Sequence, residues 1–113
     1  MKTIWIIEDH AAFRRTLVRV LNAESGLQCT RDFDSCEKAL AALARDDAPD
    51  LILLDVGLPG MSGLEGIRLI KERSPKTTVV ILTVFEDDDK VFQAVCAGAA
   101  GYLLKTSGAA DIT

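Results

Sequence analysis

The segment that most constrains this chain is Asp50-Leu51-Ile52-Leu53-Leu54-Asp55, four consecutive aliphatic residues bracketed by acids. A strand with one wet face alternates apolar and polar residues. An unbroken apolar run of this length is a strand covered on both faces, as inside a parallel sheet. Thr78–Thr83 (Thr-Val-Val-Ile-Leu-Thr) has the same character, and Thr3–Ile7 (Thr-Ile-Trp-Ile-Ile) is a β-rich run that stops at Glu8-Asp9. From about Ala11 to Glu24 the period changes: Phe13, Leu17 and Leu21 recur every four residues with Arg14, Arg15 and Arg19 between them, which predicts an amphipathic helix ended at Ser25-Gly26. Leu27–Phe33 alternates weakly and reads as a less buried strand. Asp34-Ser35-Cys36-Glu37 has the form of a capping box ahead of a second helix, with Leu40 and Leu43 inward and Pro49 closing it. Val56–Met61, carrying Gly57, Pro59 and Gly60, is a loop. Ser62-Gly63-Leu64-Glu65 is a second capping box, and Leu64, Ile67 and Ile70 line a third helix that Pro75 ends. Glu86–Gly98 is expected to form a fourth helix with Val91 and Val95 inward, and Tyr102–Leu104 a short fifth strand.

Strand and helix therefore alternate five times, and each link between strands carries a helix. This predicts an α/β fold: a flavodoxin-like, doubly wound, five-stranded parallel sheet of order 2-1-3-4-5. A length of 113 residues has room for one domain, residues 1–113. Thirteen Lys and Arg against 17 Asp and Glu give a net charge of −4, so the segment lacks the basic footprint of a nucleic-acid binder. No apolar stretch approaches the roughly 18 residues of a membrane span, so no membrane partner is expected. The N-terminus meets Glu8-Asp9 without a small-residue cleavage site, unlike a signal peptide. Cys29, Cys36 and Cys96 show no C-x-x-C spacing and fit packing thiols in the reducing cytoplasm.

In an open parallel sheet, ligands bind beyond the carboxyl ends of the strands, near the point where the strand order reverses. Strand one ends in Glu8-Asp9, strand three in Asp55, strand four in Thr83 and strand five in Lys105, whereas strand two ends in Phe33. The four polar termini belong to contiguous strands in the expected order. Three converging carboxylates repel one another unless a cation compensates. Hard oxygen ligands with open positions suit Mg²⁺, with Glu8, Asp9 and Asp55 as ligands and Gly57 adding a backbone carbonyl. Thr83 offers a hydroxyl and Lys105 a cation to a phosphoryl oxygen, and Asp55 is the candidate nucleophile for an aspartyl phosphate. An aspartate-nucleophile phosphatase would need a second acid at position 57, which is glycine. A flavin-phosphate binder would want a Ser/Thr/Gly-rich loop where Asp9-His10-Ala11-Ala12-Phe13 stands. The lone histidine, His10, reads as a solvated residue of the first helical turn, and the acidic run Glu86–Asp89 as a complement to the fourth helix dipole.

At Glu8-Asp9, at Leu53–Gly63 (Leu-Leu-Asp-Val-Gly-Leu-Pro-Gly-Met-Ser-Gly), at Thr83 and at Gly101-Tyr102-Leu103-Leu104-Lys105, the chain closely resembles the receiver (CheY-like) domain of two-component response regulators. The resemblance implies that Glu8 and Asp9 hold Mg²⁺, that Asp55 accepts phosphate from a sensor histidine kinase, and that Gly57 lends its carbonyl. It also implies that Thr83 and Lys105 bind the phosphoryl group and that Tyr102 is an aromatic switch residue. Such a domain is regulatory rather than an enzyme, although it supports its own phosphorylation and dephosphorylation. The wording Leu-Pro-Gly-Met-Ser-Gly-Leu-Glu is similar to a subgroup in which a helix-turn-helix DNA-binding domain follows the receiver. DNA contact is then expected only through that output domain, with homodimerisation on phosphorylation. The alternative is a pseudo-receiver that docks proteins without being phosphorylated.

Three features depart from the family pattern, one being Thr106, which follows Lys105 where the family carries proline and makes a cis bond there more costly. Val84 stands where a small residue is more usual, and its branched side chain is expected to narrow access to Asp55 and slow small phosphodonors. After Lys105 only Thr106–Thr113 remain, so the fifth helix is expected to be missing or truncated, leaving apolar surface exposed or covered by self-association.

Overall fold

The structure, a computed structural model, describes residues 2–45, 47–55, 63–83 and 100–104. Within them the chain runs β1 (Lys2–Ile7), α1 (Ala11–Ala23), β2 (Leu27–Phe33), α2 (Cys36–Leu43), β3 (Leu51–Asp55), α3 (Gly63–Arg73), β4 (Thr78–Thr83) and β5 (Gly101–Leu104). The strands form one parallel sheet of order β2-β1-β3-β4-β5. The expected flavodoxin-like topology is thus the observed one. The expected fourth helix, Glu86–Gly98, and any fifth helix after Lys105 lie outside the described residues.

The unbroken apolar runs are covered on both faces. On one face Trp5, Ile7, Ile52, Leu54, Val79 and Ile81 pack against α2 and α3, through residues such as Leu40, Ile67 and Ile70. On the other, Ile4, Ile6, Leu53 and Leu82 pack against Leu17 and Leu21 of α1, with Phe13 half-buried beside them. Each aliphatic side chain of this kind, fully withdrawn from water, contributes about 1.5–3 kcal/mol. The four-residue spacing in α1 exists to supply that stripe, while Arg15 and Arg19 remain exposed.

Two local details differ from the sequence expectation. The cap of α2 is Ser35, whose side chain accepts the Lys38 N–H, while Asp34 pairs with the Lys38 ammonium at 2.9 Å. The serine hydroxyl lies at the position from which it can satisfy an orphan amide of the first turn. Asp50 lies just ahead of β3 instead of within it. Its carboxylate accepts the Thr3 N–H at 2.9 Å, its N–H donates to the Thr3 carbonyl at 3.0 Å, and its carbonyl accepts the Thr78 N–H at 3.0 Å. Asp50 thereby ties the amino ends of β1, β3 and β4 together.

Gly26 follows α1 at φ +88°, a left-handed conformation that glycine adopts without a side-chain penalty, and its carbonyl receives the Lys2 N–H at 2.8 Å. The β1–β2 register shifts by one residue: Ile4 faces Cys29, but Trp5 faces Arg31. Thr30 is the extra residue of this bulge, and its hydroxyl accepts the Trp5 indole N–H at 3.1 Å. Beyond it, Asp32 lies beside Ile6 on the α1 face, and Phe33 beside Ile7 on the opposite face. Phe33 then meets Trp5 with ring centroids 5.2 Å apart.

Candidate functional site at the carboxyl edge of the sheet

The sheet register sets the level of the site. Ile7 of β1 pairs with Leu54, Asp55 pairs with Leu82, and Thr83 pairs with Leu104. The residue after β1, the last residue of β3 and the last residue of β4 therefore finish at nearly one height. Carboxylate oxygens of Glu8, Asp9 and Asp55 lie within 4.8 Å of one another. Glu8 is fully buried, Asp55 is 6% exposed, and Asp9 faces solvent.

Why the chain turns this way is visible at Glu8. Its N–H donates to the Phe33 carbonyl at 2.9 Å, extending the β1–β2 ladder by one residue. Its carboxylate accepts the His10 N–H at 3.1 Å, so the acid closes the turn into α1. His10 is exposed and is the N-cap of that helix, in extended conformation, with no side-chain capping bond. The solvated reading of the lone histidine agrees with this placement.

Two full negative charges at such a separation repel by about 3–4 kcal/mol at an effective dielectric constant near 20. The cluster accordingly suits a compensating cation. Three hard carboxylate oxygens, two of them buried and one at an open, exposed side, are a donor set that fits a divalent ion keeping part of its water shell.

Of the residues expected at the site, the structure brings together Glu8, Asp9 and Asp55. Thr83 closes β4 and Tyr102 lies opposite Ile81 in β5, which places their backbones on the adjoining strands. The side chains of Thr83 and Tyr102, and the whole of Gly57, Val84 and Lys105, lie outside the described residues. Sequence reasoning missed Arg14, which it took as part of the solvated face of α1. Its guanidinium donates to the Glu8 carbonyl at 2.7 Å and to the Asp32 carboxylate at 2.9 Å. Only its position one turn after the acid pair hinted at this, and the partner Asp32 was hidden by the bulge in β2.

Cys36 sits behind Asp55. Burial, with the Glu37 and Asp55 charges adding to it, pushes its thiol up to about 12, so it is neutral at physiological pH. Burial likewise raises Cys29 to about 11. Both behave as packing thiols, and Cys96 lies outside the described residues. Among those residues, no helix is long and apolar enough to cross a membrane.

Comparison with known proteins agrees with this geometry. The chain is 38% identical over 112 residues to the response regulator GacA of Pseudomonas viridiflava, an alignment covering 99% of this chain and 52% of that protein. It is 36% identical over 112 residues to the transcriptional regulatory protein LiaR of Bacillus subtilis, covering 99% of this chain and 53% of that one. The chain thus spans about half the length of these curated relatives. Among solved structures, the signal receiver domain of the response regulator NarL from Mycobacterium tuberculosis superposes with a TM-score of 0.86 at 30% identity, covering 98% of this chain and 89% of that one. The sequence pattern of the response regulator receiver domain matches residues 4–113. With nearly all of its length inside that match, and with an acid cluster at the carboxyl edge of a 2-1-3-4-5 sheet, the chain belongs to the family of response regulator receiver domains.

Proposed function

We propose that this receiver is phosphorylated on Asp55 by a sensor histidine kinase and that the modification controls a DNA-binding output domain outside the chain. The observation that carries the reading is the convergence of Glu8, Asp9 and Asp55 within 4.8 Å at the end of the central strand. A docking-only module has no need of three acids held against their mutual repulsion.

An Asp55 carboxylate oxygen attacks the phosphorus of a phosphohistidine. The P–O bond forms as the P–N bond breaks, and the electron pair returns to the imidazole, which takes up a proton from solvent. Glu8, Asp9 and Asp55, with the Gly57 carbonyl, would hold Mg²⁺, which when bound supplies positive charge to the phosphoryl oxygens. Thr83 donates its hydroxyl and Lys105 its ammonium to those oxygens. Attack of water on the acyl phosphate returns the carboxylate, so the domain limits its own signal. Movement of Thr83 toward the phosphoryl group lets Tyr102 turn inward, and the altered surface favours a homodimer. The working compartment is the cytoplasm, where the kinase and the DNA target are found.

Incubation with Mg²⁺ and acetyl phosphate, read by intact mass, tests the assignment. We expect a phosphate adduct on the unaltered chain and none on Asp55→Asn. Absence of an adduct with acetyl phosphate and with a phosphorylated histidine kinase would overturn it.

A further inference from the structure

The acid pair after β1 is held by contacts that do not involve the sheet alone. Arg14, one turn into α1, reaches back so that Nη1 donates to the Glu8 carbonyl at 2.7 Å. Its Nε donates to Asp32 Oδ2 at 2.9 Å, and the arginine side chain is only 18% exposed. The Glu8 N–H is fixed on the Phe33 carbonyl from the other side. A peptide group is planar, so holding the Glu8 carbonyl oxygen fixes the plane that also carries the Asp9 nitrogen and Cα. Asp9 is exposed, so its direction depends largely on the backbone that carries it. The carbonyl contact is therefore a constraint on where the Asp9 carboxylate points.

We infer that Arg14 is a positioning residue for the Glu8–Asp9 pair, acting through the Glu8 carbonyl, with Asp32 as the anchor that orients its guanidinium. The inference rests on the reading of Glu8, Asp9 and Asp55 as a Mg²⁺ site. The planar fork of arginine spans the carboxylate and the carbonyl at once; a lysine ammonium keeps the charge but is a single point and loses that span. The sign of the effect separates geometry from charge. A cation near a metal site repels the metal, so a purely electrostatic Arg14 would tighten Mg²⁺ binding when removed. A positioning Arg14 would weaken it.

The test is a Mg²⁺ titration of the whole chain followed by amide chemical shifts, for the unaltered protein, Arg14→Lys, Arg14→Ala and Asp32→Ala, with thermal melts alongside. Loss of a group that orients metal ligands typically weakens binding 10–100-fold. We expect Kd for Mg²⁺ to rise about tenfold in Arg14→Lys and Arg14→Ala, and to rise in Asp32→Ala. An unchanged Kd in Arg14→Lys with a lower melting temperature would make Arg14 a structural brace and overturn the inference. Tighter binding by Arg14→Ala would overturn it in favour of charge. Failure of the unaltered chain to bind Mg²⁺ would instead overturn the metal reading itself, and this inference with it.

Discussion

Gly66 on α3 stands close against α2: a Cβ added there would lie 2.6 Å from the Cys36 sulfur. Cys36 is fully buried, so its sulfur has little room to move aside. Alanine would gain about 1 kcal/mol of helix propensity, but overpacking a filled site costs about 1–3 kcal/mol. The clash wins. Chemical denaturation should show Gly66→Ala destabilised by about 1 kcal/mol, while the same change in a Cys36→Ala background is neutral or stabilising. Equal effects in both backgrounds would show that the two residues do not compete for this space. Gly66 was not among the residues singled out in the sequence, because only the packing of two helices gives it a role. Ile67 and Ile70 beside it were legible, since their spacing alone marks the inward face.

Among the elements, β1 and β3 are joined at their amino ends by Thr3 and Asp50. The backbone N–H of Thr3, bonded to the Asp50 carboxylate, holds that carboxyl below its usual range, with the Thr3 hydroxyl helping. A group depressed in the folded state binds fewer protons there than in the unfolded chain. Its contribution is present above the unfolded value and is lost as pH falls through the folded one. Melting temperature should therefore decline below about pH 4, and Asp50→Asn should flatten that acid limb while lowering stability at neutral pH. An identical acid limb in the variant would assign the decline to other carboxyls. Asp34, lowered by its bond to the Lys38 ammonium, contributes with the same sign. The sequence placed Asp50 inside a strand because an acid bracketing an apolar run gives no sign of whether it ends the ladder or ties its neighbours.

For the molecule as a whole, strand order and the level of the site were readable because unbroken apolar runs imply a parallel sheet, and a parallel sheet sends every carboxyl end to one edge. Glu8, Asp9 and Asp55 needed no more than that. The Arg14–Asp32 link was not readable. Alternation along β2 places Leu27, Cys29, Arg31 and Phe33 on one face, whereas the extra residue Thr30 moves Arg31 and Phe33 to the other and delivers Asp32 to α1. A one-residue shift of this kind inverts every side chain beyond it, and nothing local in the sequence announces it.

That same bulge lies in β2, an edge strand of the sheet. An outer strand offers unpaired amides and carbonyls to any passing chain, and flat, regular edges are the ones that recruit further strands into aggregates. Here the exposed border carries Gln28, Arg31 and Asp32 and is bent out of regular register at Thr30. The irregularity therefore works against edge-to-edge pairing at β2, whose border offers an incoming chain no continuous straight rail to extend.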